Sequence, residues 1–471
     1  MKKAEDVKIE EFIATPHHIP FKGALQRLPK TDKGKTNASH VKLPKYLTAN
    51  FARFIGYLIG DGYVRKTSSY EISLSNTDKT LLRDFKSIVE SLNLPLQLRI
   101  DKRNGVSTLF CFSVELGKIL ETMGGIAKRS KEKKIPTELL KSPNNITKEF
   151  IKAYFDCEAS VTKRGDIVVT SASKELLEQV QTLLLRFGII SQLHKTTGVA
   201  TNTKQKLRST YYRLMLSGEN TKIFLEEIGF SSSKMQKLRK SIKSKKFNTN
   251  IDIIPNLKNI LKETREQLGL SQFKCGVARS TYQHLEKGDR NPSRSTFKKI
   301  VSTFQKVDSS KQNKNILLLS ALSDSHIFWD TVVKKRKIAP KEEWVYDLQV
   351  EPTHNFIANG MIVHNTRFLQ YVANVAPKSI YVSGKSVSGV GLTASAERDE
   401  ESDGGWVLKA GALVLASGGN ACIDEFDKID DKERAALHEA MESQSVSVAK
   451  AGIVAKFKAK TSILAAANPK Y

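Results

Sequence analysis

The chain has 471 residues, enough for several domains that each bury a core. Its 76 Lys and Arg against 49 Asp and Glu give a formal net charge of +27, which points to a polyanionic partner; the excess lies before Asn365, because 366–471 carry 13 basic and 13 acidic residues. Four scattered cysteines with no CxxC pair argue against a disulfide framework and a structural zinc site, and with no apolar run of 18 residues and no signal region the sequence reads as a soluble, cytoplasmic protein with no membrane partner.

Near the front, EEFIATPHHIPFKG (Glu10 to Gly23) places Thr15 and His18 three residues apart. Alone this spacing more often marks a turn than a hydrogen-bonding pair. Beyond it, FARFIGYLIGDGYV (Phe51 to Val64) and EFIKAYFDCEASV (Glu149 to Val161) are alike. Each is an apolar helical run ending in a carboxylate and a small residue, followed by strand-like sequence and a further helix. The spacing predicts an internal duplication of two similar α+β halves. Gly56, Gly60 and Ala153 are small enough to let the two helices approach closely, which brings Asp61 and Glu158 side by side as an oxygen-rich Mg²⁺ site. Solvent-exposed helix-terminal carboxylates are the alternative. From Leu43 to Phe230 the pattern resembles the LAGLIDADG homing endonucleases, with Asp61 and Glu158 at the last acidic position of each motif. The second motif departs from the family in Ala159, where Gly is usual, and in Lys152, where a small residue is usual. The resemblance also implies a role for Lys134 beside the metal-bound water, and cleavage of double-stranded DNA. Arg65, Lys66, Arg99, Lys102, Arg103, Lys163, Arg164, Lys206, Arg208 and Arg213 fall in or beside strand-like runs, where β-ribbons reach phosphate and guanine in the major groove.

SSSKMQKLRKSIKSKKF (Ser231 to Phe247) reads as a basic linker, either a flexible spacer or an arm on phosphate. The next segment has helical apolar spacing punctuated by Gly269 and Gly288, with a short helix from Arg279 to Leu285. Its GLSQ start and EKGDRNPS turn resemble the helix-turn-helix of phage-repressor-like regulators, with a clipped second helix between Gln272 and Gly276. By that resemblance Ser280, Thr281, Gln283 and His284 face bases, and Gln272 and Arg279 meet phosphate. A plain helical bundle is the alternative.

WVYDLQVEPTHNFIANGMIVHNT (Trp344 to Thr366) holds a strand, a turn, a second strand and three chemically capable residues. His364 can transfer a proton, the Asn365 amide can attack its own carbonyl and cut the chain after itself, and Thr366 offers a hydroxyl. The block closely resembles the C-terminal splicing block of inteins. That resemblance implies an assisting role for His354, and a role for Thr15 and His18 in polarising the upstream junction. The initiating Cys or Ser of such proteins lies well upstream of the Thr/His block and is not in this chain. The expectation is therefore a missing N-terminal portion of intein and host protein as partner, and no splicing by this chain alone.

From Thr366 onward, ACIDEFDK is a strand ending in Asp424 and Glu425, and SILAAANP a strand ending at Asn468. An Asp at such an end can hold Mg²⁺, and the adjoining Glu can orient water. With HEAMESQSVSVAKAGI between them, the order closely resembles the AAA+ module of MCM replicative helicases, with an archaeal look. This implies ATP as the host's cofactor, an MCM hexamer as its assembly and Lys450 in a DNA-contacting hairpin. GKSVSGVGL (Gly384 to Leu392) lacks the spacing of a phosphate-binding loop, so this chain alone is not expected to bind ATP.

The expected architecture is multidomain: a partial all-β splicing fold (1–42 and 311–365), a duplicated α+β endonuclease (43–230), a basic linker (231–254), a helical helix-turn-helix (255–310) and part of an α/β AAA+ domain (366–471). The rival readings are a nuclease in its own right with relic flanks, and a stand-alone DNA-binding regulator with neither cleavage nor splicing.

Overall fold

The computed structural model describes residues 6–30, 41–66, 68–101, 105–199, 208–243, 251–308, 312–337, 350, 355–364, 372–373, 375–383, 392–398, 406–424, 426, 429–450 and 452–467. The chain divides into two compact units, Met1–Ala339 with Ile357–Ile362, and Pro340–Phe356 with Val363–Tyr471.

In the first unit, β1 (Phe12–Pro16) precedes the expected duplication. The first half runs α1 (Ala49–Ile59), β2 (Gly62–Lys66), β3 (Tyr70–Asn76), α2 (Lys79–Ser91), β4 (Gln97–Ile100), β5 (Ser107–Phe112) and α3 (Val114–Met123). A short α4 (Thr137–Lys141) intervenes. The second half repeats the order as α5 (Asn144–Glu158), β6 (Ala159–Val161), β7 (Ile167–Ser171), α6 (Lys174–Leu185), β8 (Gln192–Val199), β9 (Arg208–Leu216) and α7 (Glu219–Glu227). The sheets have matching strand orders, β2-β3-β5-β4 and β6-β7-β9-β8, all antiparallel.

Helix α1 is apolar on nearly every side, as a helix enclosed by its neighbours must be. The Thr48 hydroxyl accepts from the Phe51 N–H and starts it. The amphipathic α2 and α6 are capped alike by Asp78 and Ser173, and bury Phe85, Ile88, Leu177 and Val180 against the sheets. Both halves share one apolar core.

The segment expected to be a linker is instead a helix, α8 (Lys234–Lys243). Leu238 is buried and Met235 and Ile242 pack against the endonuclease-like core. Their helical spacing in KMQKLRKSIK creates an apolar stripe that the dense positive charge concealed. Next come α9 (Lys258–Gln267), a three-residue 3₁₀ turn at Gln272–Lys274 in place of a full second helix, α10 (Arg279–Lys287) and α11 (Arg294–Val307). Gly276 permits this tight turn: its φ is +81°, and a Cβ there would lie 2.2 Å from the Thr303 hydroxyl oxygen. A further helix, α12 (Lys314–Asp324), contributes Ile316 and Leu319 to the same core as Leu261, Tyr282 and Phe297. The helical core thus continues past 310.

Strand β10 (Ile327–Thr331) returns to pair antiparallel with β1, Thr15 opposite Phe328. Strands β11 (Asn355–Ala358) and β12 (Met361–His364) form a hairpin whose Asn359 and Gly360 have φ of +50° and +76°, as the Asn-Gly pair requires.

The second unit contains β13 (Ser379–Ser383), β14 (Ala394–Arg398), β15 (Trp406–Ala410), β16 (Asn420–Asp424), helix Asp431–Ser443, β17 (Ser445–Lys450), β18 (Ile453–Lys458) and β19 (Ser462–Ala465). Strands β13, β16 and β19 form a parallel sheet in that order, and β14-β15 and β17-β18 are hairpins. None of the described helices is long and apolar enough to cross a membrane.

Candidate active site at the ends of two packed helices

Helices α1 and α5 lie against each other because their facing residues are small. A Cβ built on Gly56 would lie 2.6 Å from the Phe150 carbonyl oxygen and 2.8 Å from the Ala153 Cβ. One on Gly60 would lie 2.5 Å from the Cys157 Cβ. Ala153 and Cys157 therefore complete the interface, while Lys152 is outside the tightest contacts. The two departures from the family pattern leave the helix pair packed. Further up the helices, the Arg53 guanidinium donates to Glu149 at 2.9 Å and to Asp84 at 3.0 Å, joining α1, α5 and α2.

At the ends of these helices stand Asp61 and Glu158. Burial pushes the Glu158 carboxyl up to about 7, and the neighbouring Asp61 charge adds to the rise; Lys133 and Lys234 oppose it. Burial and a neighbouring negative charge both disfavour the ionised Glu158 carboxylate, a penalty that a bound cation would relieve. The Cys157 thiol is raised above its ordinary range by burial first, then by Asp61, so it remains a neutral filler. The Asn76 amide donates to Asp61 Oδ2 at 2.7 Å.

Two lysines complete the site, and neither is the one singled out from sequence. The Lys133 ammonium donates to the Ile59 carbonyl at 2.7 Å and the Gly60 carbonyl at 3.3 Å, closing the α1 C-terminus. The Lys234 ammonium does the same for α5, donating to the carbonyls of Asp156 at 2.5 Å and Cys157 at 3.2 Å. A cation at a helix C-terminus satisfies orphan carbonyls and opposes the negative end of the helix dipole. Lys134 points elsewhere: its exposed ammonium is 3.9 Å from Glu175. Adjacent lysines in KEKKIP look equivalent in sequence, but only Lys133 reaches the helix ends. Comparing the halves was the available signal, since Lys133 and Lys234 each follow the third helix of their half. Lys133→Ala is expected to destabilise this unit by about 1–3 kcal/mol, because buried carbonyls lose their donor. Lys134→Ala should leave the melting temperature unchanged; thermal unfolding of both variants checks the assignment.

The sheet faces turned away from the helices supply candidate DNA contacts. Ile72, Leu74 and Cys111 point inward, so strand alternation turns Arg65 and Arg99 outward on the first sheet. On the second, Leu214 and Leu216 point inward and Arg213 outward. Lys66 is engaged by Glu121 at 3.3 Å, and Arg208 has the opposite parity to Arg213. Lys163 and Arg164 are exposed in the turn after β6. Lys102, Arg103 and Lys206 lie outside the described residues.

In the helical segment Arg279, Ser280 and Thr281 are exposed on α10, and Gln283 and His284 are half-exposed. His284 Nδ1 lies 3.2 Å from Asp289 Oδ2. Arg279 sits over the exposed Phe273 ring at 5.2 Å. Gln272 departs from its expected phosphate contact: its amide donates to Glu286 at 2.7 Å, and Glu286 also takes Arg265 at 2.6 Å.

The Thr15 hydroxyl donates to the Phe328 carbonyl at 3.0 Å. His18 Nε2 is 3.2 Å from the Arg186 carbonyl oxygen, and its ring meets His326 edge-on at 4.9 Å. His364 ends β12; its side chain, with His354, Asn365 and Thr366, lies outside the described residues.

In the second unit Asp424 ends β16, and the Tyr381 hydroxyl donates to its Oδ2 at 2.7 Å. The Phe426 N–H donates to the Ala466 carbonyl, so the chain leaving β16 runs beside the chain leaving β19. Glu425 and Asn468 themselves are outside the described residues. Lys450 ends β17 opposite Ile453, at the tip of its hairpin.

Residues 48–132 and 145–229 match the LAGLIDADG-like domain, 261–310 the helix-turn-helix, and 355–471 the MCM P-loop domain. Among curated proteins, DNA replication licensing factor mcm7 of Schizosaccharomyces pombe is 53% identical over 109 residues, 23% of this chain and 14% of that protein. Minichromosome maintenance protein MCM of Saccharolobus solfataricus is 53% identical over 106 residues, 22% of this chain and 15% of that protein. DNA replication licensing factor MCM6 of Arabidopsis thaliana is 55% identical over 104 residues, 22% of this chain and 12% of that protein. The chain therefore spans only 12–15% of the length of these relatives.

Proposed function

We infer that this chain, in which a LAGLIDADG-like domain and a helix-turn-helix precede an MCM P-loop domain, is an intein-bearing MCM polypeptide whose inserted part cuts double-stranded DNA at Asp61 and Glu158. The observation that carries the reading is the closely packed helix pair ending in two carboxylates, between two sheets of matching topology. Their repulsion and all-oxygen donor set fit Mg²⁺, which keeps several waters and needs few protein ligands. When bound, the ion would supply Lewis-acid charge at the scissile phosphate. Asp61 and Glu158 would hold it, while Lys133 and Lys234 fix the helix ends that carry them. Arg65, Arg99 and Arg213 face outward, where they would meet the duplex. Linearisation of a supercoiled plasmid carrying the intein-less junction, in Mg²⁺ and not in EDTA, tests this reading. A library of randomised inserts guards against a wrong choice of junction.

The flanks support a splicing role. β1 carries Thr15 and pairs with β10 across the whole inserted segment, and β12 leads directly into His364-Asn365-Thr366. We place the change from intein to host between Asn365 and Thr366. Asn365 would cyclise and cleave the chain, with His364 and His354 moving protons, and Thr15 and His18 would serve the upstream junction. Intact mass after incubation at several temperatures should reveal a break after Asn365 that Asn365→Ala lacks; the same single mass for both would sink this part of the reading. For the host part, Asp424, Glu425 and Asn468 would form part of an Mg²⁺–ATP site, and Lys450 would lie on a DNA-facing hairpin. Hexamer assembly belongs to the complete helicase.

A further inference from the structure

We propose that Asn76 is a positioning residue that fixes Asp61 before DNA binds, making the two cutting centres unequal. The inference rests on the cleavage reading above. Asn76 is the last residue of β3, and its Nδ2 donates to Asp61 Oδ2 at 2.7 Å. Its own Oδ1 accepts from the Asp78 N–H at 2.8 Å, and Asp78 in turn caps α2 through the Thr80 N–H at 2.8 Å. These bonds set the amide with its oxygen toward the turn and its NH₂ toward the carboxylate. Asn76 is therefore held by the strand-to-helix turn, independently of Asp61, and can impose an orientation on it.

The other half makes the same turn with different side chains. Ser171 is the last residue of β7, its Oγ accepts from the Ser173 N–H at 3.1 Å, and Ser173 caps α6. Ser171 thus occupies the position of Asn76 but carries no amide. The carboxylates differ in the opposite sense, since Glu158 is one methylene longer than Asp61. The first half pairs a short acid with an amide donor, whereas the second carries a longer acid and, at the position matching Asn76, a serine without an amide. The Asp61 end has fewer rotamers to lose and a fixed donor, whereas Glu158 has one more side-chain torsion and no amide at the matching position. Two similar halves meeting antiparallel strands place one strand before each centre. The strand served by Asp61 is then cut first.

The test follows each strand of a linear, end-labelled duplex bearing a cut site, beside a supercoiled plasmid bearing the same site, with the full chain in Mg²⁺. Asn76→Ala should slow, by about tenfold or more, cutting of the same strand whose cutting Asp61→Asn abolishes, the scale of a small misplacement in an active site. Nicked circles should accumulate, with DNA affinity unchanged. Asn76→Ser should do the same, and the double variant Asp61→Glu with Asn76→Ser, which copies the second half, should recover much of the loss. Equal slowing of both strands, no slowing, or a double variant no better than Asn76→Ser overturns the inference while leaving cleavage intact. A wild-type chain that cuts neither strand overturns the cleavage reading, and this inference with it.

Discussion

Asp61→Asn and Glu158→Gln are each expected to reduce double-strand cleavage by about 10³-fold, corresponding to the several kcal/mol that a metal-held charge contributes to a phosphate transition state. Both substitutions preserve shape, so the α1–α5 interface should persist and DNA affinity should hold. The pH dependence gives a separate readout. Glu158 has a folded pKa raised from 4.5 to about 7, so the folded state favours its neutral form. Its contribution to stability is thus present below the unfolded value and lost as pH rises through about 7. Without metal, the melting temperature of this unit should fall between about pH 5 and pH 8, and Glu158→Gln should flatten that fall. Metal binding has the opposite preference, because a ligand carboxylate must be ionised. The Mg²⁺ concentration for half-maximal cutting should rise about tenfold per pH unit below 7. A half-maximal Mg²⁺ concentration that does not move between about pH 5.5 and about pH 8 would contradict a Glu158 ligand.

The features legible in the sequence were those written in repeated or local patterns. The duplication showed because two apolar helices ended alike, in Asp61 and Glu158, and the Asn359-Gly360 turn announced its hairpin. The clipped second helix of the helix-turn-helix was readable from the short spacing between Gln272 and Gly276. What escaped depends on side-chain direction or on contacts distant in sequence. Lys133 and Lys134 differ only in which one the turn aims at the α1 carbonyls. The role of Lys234 was hidden in a run of positive charge, and α8 was read as linker because its few apolar residues are outnumbered. Asn76 reaches Asp61 across 15 residues of chain, through a turn that no motif marks. Arg294 was not singled out at all. Its guanidinium donates to Asp252 at 2.7 Å and to the carbonyls of Leu322 at 3.2 Å and Ser323 at 3.1 Å, holding the helical segment to the chain that enters β10. Asp252 also lies 3.3 Å from His17, so the Thr/His block and the helix-turn-helix meet at one carboxylate.

Gly56→Ala is expected to cost about 2–3 kcal/mol and lower the melting temperature of this unit by roughly 5–10 °C, a large effect for one methyl group. The reason is what the methyl meets. At 2.6 Å from the Phe150 carbonyl oxygen it strikes backbone, which cannot turn aside as a flexible side chain would. Shortening the opposite residue therefore offers little rescue: Ala153→Gly removes the 2.8 Å contact but leaves the carbonyl in place. The helices must separate or slide, and their ends carry Asp61 and Glu158. Cleavage should consequently fall by about tenfold or more even well below the melting temperature, because misplacement of catalytic groups costs rate before it costs folding. Gly56→Leu should amplify both losses. Thermal unfolding and cleavage rates on the same preparations separate the effects. A Gly56→Ala variant that melts and cuts like the wild type would mean that α1 and α5 do not approach this closely, and that the juxtaposition of the two carboxylates needs another explanation.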